Sequence, residues 1–288
     1  MTPQKENRLI ITVKSIAIFM VHVLTRTKKQ VIWRINYYFS KRIPSNAVKF
    51  TAINKRILVL SPHADDELIG CDQLLKSNNS CEIYYCGFLG SDTSNSNANV
   101  RLNELLAYSL HNNVECNVVP NGQSNNYYLT SVIKRYKPDI IAVPFIYDWH
   151  YQHYLTNTLL AEAIIDMQYE CDILQYQISV PIPNTLVTHY SCMSKSDHKL
   201  KWQGFMEIYK SQIMIPYARF KIVEKIAGKS LNCFASEVYW HANTEVWVSF
   251  LKTLTRKEHS TIAKALNFDI DNISLTLKNI NDIINRRK

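Results

Sequence analysis

Arg56-Ile57-Leu58-Val59-Leu60-Ser61-Pro62-His63-Ala64-Asp65-Asp66-Glu67 is the stretch that decides the fold. Its first half is an unbroken apolar run too short for a globular helix, the pattern of a strand covered on both faces. Its second half concentrates a histidine and three acids in five residues. In a parallel sheet, functional groups collect just beyond the carboxyl ends of the strands, and this strand ends on such a cluster.

The pattern repeats outward from it. Glu67–Ser77 reads as a helix, Glu82–Leu89 as a second strand, Asn99–Leu110 as a helix, Glu115–Val119 as extended, Tyr128–Tyr136 as a helix, Asp139–Pro144 as another buried strand and His153–Met167 as a helix. Short apolar strands alternating with helices make βαβ units. The fold class expected is α/β, a Rossmann-like, mostly parallel sheet with helices on both faces, extended by N- and C-terminal helical additions. Beyond Cys171, Ile173–Val180 and Thr185–His189 read as extended, Lys199–Lys210 as a helix, and 257–288 as one or two helices. Three regions follow: a basic arm over 1–50, a main domain over 51–250 and a helical tail over 251–288.

Composition removes several functions. With 288 residues and 47% hydrophobic content the chain can bury a substantial core, which rules out wholesale disorder. Its six glycines form neither the Gly-x-Gly-x-x-Gly turn of dinucleotide sites nor the Gly-x-x-x-x-Gly-Lys of phosphate-binding loops. The net charge of +9 is carried entirely by residues 1–50, where ten Lys and Arg face one acid, Glu6, so residues 51–288 are neutral overall. A specific nucleic-acid footprint over the body is therefore not expected. The seven cysteines contain no Cys-x-x-Cys, and their odd number leaves one unpaired in any complete set, which fits a reducing cytoplasm.

The strand ending at Pro144 delivers a second polar cluster, Asp148-Trp149-His150-Tyr151-Gln152-His153. A catalytic zinc takes three His, Asp or Glu ligands and leaves a position for water. His63 and Asp66 can supply two ligands from one strand-to-helix turn. His150 and His153, three apart as a helix begins, can supply a third and a neighbour, while Asp65 can face the water. Alone, Asp65-Asp66-Glu67 is an acidic first turn suited to the helix dipole, and a single His-x-x-His is commonplace. Two such clusters at two strand ends make a complete inventory for metal-assisted hydrolysis.

Pro62-His63-Ala64-Asp65-Asp66-Glu67 resembles the (Ala/Pro)-His-x-Asp-Asp-Glu motif of the LmbE-like, or PIG-L, family of zinc-dependent de-N-acetylases. Asp148-x-His150-x-x-His153 is similar to its Asp-x-His-x-Asp-His motif, with Thr156 matching a following threonine. Arg101-x-x-Glu104 and Ser211-Gln212 resemble two shorter pieces, so that the likeness runs over about residues 54–240. The resemblance implies zinc held by His63, Asp66 and His153, Asp65 as general base, and a protonated His150 as acid or oxyanion partner. It implies removal of an N-acetyl group from an amino sugar, free or linked to a lipid or nucleotide. Arg101 is expected to anchor a phosphate or sugar hydroxyl, or else to pair with Glu104 on a helix surface. Asp148 is expected to contact the sugar or to orient His150.

Two departures keep a second reading open. Gln152 replaces the second motif's Asp, which weakens the expected orientation of a histidine, and an Asn/Ser-rich loop at Ser91–Asn99 replaces the usual Thr-Asp-Gly. The alternative is a catalytically inactive carbohydrate-binding or scaffolding protein on the same fold.

In the arm, Leu9–Leu24 is apolar but interrupted by Lys14 and His22, and it is shorter than a membrane span. Its wheel places Leu9, Val13, Ile16, Met20 and Leu24 on one side, followed by Lys28, Lys29, Trp33, Arg34, Tyr37, Tyr38 and Phe39. Such a segment either lies in an anionic membrane interface or packs on the chain's own sheet. The expected location is cytoplasmic, with the arm at the inner face of a membrane in the first case.

Overall fold

The computed structural model describes residues 20–21, 24–40, 46–51, 53–77, 79–88, 96–120, 123–212, 215–268 and 271–286. The apolar run becomes β2 (Arg56–Ser61), buried from Ile57 onward. It is flanked by β3 (Ser80–Tyr85) and β5 (Ile140–Pro144), with β4 (Glu115–Val118) outside β3 and β6 (Asp172–Tyr176) outside β5, all parallel. β8 (Ala235–Asn243) then runs antiparallel between β6 and β7 (His189–Met193), and β1 (Val48–Lys49) pairs with β7. The eight strands form one sheet in the order β1-β7-β8-β6-β5-β2-β3-β4. The α/β architecture and the mostly parallel sheet are as expected from the sequence.

Helices cover both faces. α2 (Asp66–Leu75), α3 (Ser96–His111) and α6 (Lys195–Ile208) close one core, built on Ile57, Val59, Leu68, Leu74, Leu105 and Phe205. α4 (Asn125–Tyr136), α5 (Tyr151–Met167) and α8 (Thr244–Lys252) close the other, with α9 (Arg256–Phe268) and α10 (Ile273–Asn285) packed beside them. Gly70 lets α2 sit directly on β6, because a methyl group there would run into the Tyr176 ring. Tyr176 reaches on to donate to Leu60 O at 2.6 Å, tying β6 to β2 at the level of the site.

A buried charge cluster locks α2 from its other side. Lys201 of α6 donates to Ile69 O at 2.9 Å, to Glu237 of β8 at 2.6 Å and to Glu224 at 2.5 Å. Glu224 belongs to α7 (Tyr217–Ser230), a helix the sequence pattern did not reveal.

Several boundaries differ from expectation. The extended stretch from Ile173 stops at Tyr176, and β7 begins at His189, where the reading of Thr185–His189 had it end. Cys192 and Cys233 form a disulfide, with Cα atoms 5.5 Å apart, joining β7 to the turn before β8. This pair departs from the fully reduced set expected from the cysteine pattern, while Cys71, Cys81, Cys86, Cys116 and Cys171 carry free thiols.

Residues 24–39 form α1. Its Trp33 is buried against Val223 and Ile226 of α7 and Ile273 of α10, and Asn36 accepts from Ser274 N at 2.9 Å. No described helix is long and apolar enough to cross a membrane. Most of Leu9–Leu24 and of the Ser91–Asn99 loop lies outside the described residues.

Candidate active site

β2 and β5 are hydrogen-bonded neighbours whose following helices diverge, so the crevice beyond their carboxyl ends receives both polar clusters. There Asp66 Oδ2 lies 3.1 Å from His63 Nδ1 and 3.4 Å from His153 Nε2, and those two nitrogens are 3.3 Å apart. Asp66 Oδ2 also accepts from His63 N at 2.9 Å, which fixes the turn. His150 completes a histidine cluster: one ring nitrogen from each of His63, His150 and His153 lies within 4.8 Å of the other two. The His150 ring centroid is 4.5 Å from that of His63.

Each inner histidine is oriented from behind. Gln152 Oε1 is 2.6 Å from His63 Nε2, and the Gln152 amide nitrogen donates to Phe88 O at 3.3 Å, which sets which way the amide faces. Asp148 Oδ1 lies 3.2 Å from His153 Nδ1. Asp148 is fully engaged there: Oδ1 accepts from His150 N, and Oδ2 accepts from Ser179 N and Val180 N, at 2.9, 2.9 and 3.2 Å. Expected as a sugar contact, Asp148 is 1% exposed and sits behind His153, outside the pocket lining.

The charges follow from this packing. Burial alone would raise Asp66, but His153 and His63 outweigh it and hold the carboxylate far below its usual range. Burial would lower His153, but Asp148 and Asp66 outweigh it and raise the imidazole to about 10. A proton there occupies a point where the carboxylates favour positive charge, which a metal would displace on binding. His150 goes the other way: burial, then His153 and His63, push it down to about 4. That shift favours the uncharged ring over the protonated form expected, and its Nδ1 is buried without a hydrogen-bond partner among the described residues.

Asp65 stands at the entrance to α2 with φ of 132°, a conformation L-residues rarely adopt, and its side chain does not cap the helix. It lines the pocket, and burial, then Asp66 and Glu67, raise its carboxyl well above the usual value. Glu67 does not face the pocket but is held in the interior by Ser61 and Tyr209.

The pocket itself has a volume of about 380 Å³. Arg101 lines it, while Glu104 turns away to accept from Ser211 N at 2.7 Å and Ser211 Oγ at 2.6 Å. Gln212 donates to Ala64 O, bracing the first motif. Three further charged residues line it that were not among the expected site residues: Lys29 of α1, Arg219 of α7 and Asp271 just before α10. Lys29 and Asp271 form an ion pair at 2.8 Å. His198 and His241 pair with Glu224 and Asp172, away from the site.

No family model and no curated protein matches the sequence. Solved structures do match. N,N'-diacetylchitobiose deacetylase from Pyrococcus horikoshii superposes with a TM-score of 0.53 at 16% identity, over 67% of this chain and 85% of that one. A conserved protein of Thermus thermophilus superposes with a TM-score of 0.52 at 19% identity, over 64% of this chain and 93% of that one. The chain has the fold of the LmbE/PIG-L-type deacetylases. At these identities the LmbE/PIG-L likeness concerns architecture, and the chemistry rests on the side chains described above.

Proposed function

We propose that the chain is a zinc-dependent amide hydrolase that removes an N-acetyl group from an amino sugar. The observation that carries this reading is the triangle of His63 Nδ1, Asp66 Oδ2 and His153 Nε2, with edges of 3.1, 3.3 and 3.4 Å. Ligands about 2.0–2.1 Å from a tetrahedral zinc are separated by about 3.3–3.4 Å, so these donors fit one face of such a site. Zinc held there would polarise the acyl oxygen and lower the pKa of water toward about 7. His150 is the remaining donor of the histidine cluster, left for the reaction or for a further bond to the ion.

The chain's own groups account for the proton movements. The Asp65 carboxylate, at the pocket wall and without a structural role for its side chain, accepts a proton from the attacking water. The hydroxyl adds to the acyl carbon. A neutral His150 ring donates a hydrogen bond to the oxygen that gains charge. Asp65 then returns its proton to the nitrogen as the C–N bond breaks, giving acetate and a free amine. Arg101 is the cation beside Asp65 that is available to the sugar or its phosphate.

Gln152 supports the active reading over the inactive one, because its Oε1 lies 2.6 Å from His63 Nε2, within hydrogen-bond reach of the histidine whose orientation its replacement of Asp put in question. The similarity to a diacetylchitobiose deacetylase supports an N-acetylated amino sugar as substrate. The test is an amine-release screen over N-acetylated sugars, sugar nucleotides and lipid-linked sugars with zinc present. Release from at least one, abolished by Asp65→Asn, is expected; release from none would overturn the proposal.

A further inference from the structure

α1 has two faces of opposite use. Trp33, Asn36 and Tyr37 turn inward onto α7 and α10, with Lys229 donating to the carbonyls of Tyr37 and Tyr38 at 3.2 and 3.1 Å. On the opposite side, Leu24, Val31, Ile35 and Tyr38 follow one another at helical spacing and are 64, 49, 52 and 71% exposed. Phe39, at 79%, extends the stripe, and Met20 and Val21 ahead of it are also more than half exposed. A surface helix normally spends its apolar face on the core, yet here the inward face is already satisfied.

The charges around the stripe narrow the choice of partner. Lys28 lies within its arc, one turn after Leu24, and Arg34 lies beside it; both are exposed, as is Arg26. They belong to a segment in which ten basic residues over 1–50 face one acid, whereas the rest of the chain is neutral. An apolar stripe bordered by cations, with Tyr and Phe at one end, matches a surface that is anionic outside and apolar beneath. A second copy of the same strongly cationic segment would meet it with like charge.

We propose that the outer face of α1 docks on an anionic lipid bilayer, with Leu24, Val31, Ile35, Tyr38 and Phe39 entering the interface and Lys28 and Arg34 meeting headgroups. Lys29 on the inward side of the same helix lines the catalytic pocket. Docking therefore holds the pocket wall within about one helix diameter, ~10–12 Å, of the lipid surface.

The proposal is independent of the hydrolase reading and is tested without substrate. Full-length protein is sedimented with vesicles of phosphatidylcholine and phosphatidylglycerol, and with phosphatidylcholine alone, at low and high salt. Binding to the anionic vesicles that falls at least tenfold on phosphatidylcholine alone, weakens with salt and falls at least tenfold in Val31→Glu/Ile35→Glu is expected. Both substituted side chains are exposed, so an unchanged melting temperature shows that the variant is folded. No binding by the wild type, or equal binding by the folded variant, would overturn the proposal. So would a dimer in solution that the same substitutions dissociate, since the face would then belong to a second copy.

Discussion

Gln152 Oε1 lies 2.6 Å from His63 Nε2, on the far side of the ring from Asp66. The amide oxygen can only accept, so it would hold a proton on Nε2 when a metal takes the Nδ1 lone pair. Gln152→Leu should weaken zinc binding about 10–100-fold, while Gln152→Asp, which restores an acceptor, should recover most of it. Competition with a chromophoric chelator reads both. Unchanged affinity in Gln152→Leu would remove the residue from the site.

Asp65→Asn should retain zinc and lose turnover by about 10²–10⁴-fold, because an amide cannot take the proton from water. Metal content and amine release on the same preparation decide it. A variant that loses the metal would exchange the roles assigned to Asp65 and Asp66.

Asp148 distinguishes a supporting role from substrate contact. Asp148→Ala removes the carboxylate 3.2 Å from His153 Nδ1 and strands Ser179 N and Val180 N, so it should lower both zinc affinity and melting temperature, with a cost on the order of 3–5 kcal/mol. A raised KM with metal affinity and stability intact would return it to the substrate.

Lys201 shares one ammonium between two carboxylates, and burial, despite Lys201, pushes Glu237 up to about 7. A carboxyl whose folded pKa exceeds its unfolded value binds more protons when folded. Its contribution is therefore full below about 4.5 and is lost as pH rises to about 7. Melting temperatures should show wild type losing stability relative to Glu237→Gln across that window. A difference independent of pH would contradict the shift.

The strand at Arg56–Ser61 and the cluster after it were legible because a doubly covered parallel strand is apolar throughout, and polar residues can resume only where it leaves the sheet. His63, Asp66, His150 and His153 stood out by chemistry and spacing. The role of Asp148 did not, since its acceptors are taken by backbone N–H groups of Ser179 and Val180, which no local pattern brings near. Lys29, Arg219 and Asp271 were not legible as site residues for the same reason: the pocket wall they form exists only once α1 and the α10 loop pack on α7. α7 was missed because its apolar positions are interrupted by Lys221, Lys225 and Lys229, and its buried Arg219 and Glu224 look like surface residues in sequence.

The central claim is that His63, Asp66 and His153 hold one zinc ion, and its most direct test is metal per chain by mass spectrometry on protein purified with zinc and without chelator. Wild type should carry close to one equivalent, and His63→Ala, Asp66→Ala and His153→Ala each far less, with His150→Ala losing less than any of them. Wild type without metal, or full retention in all three variants, would contradict the account.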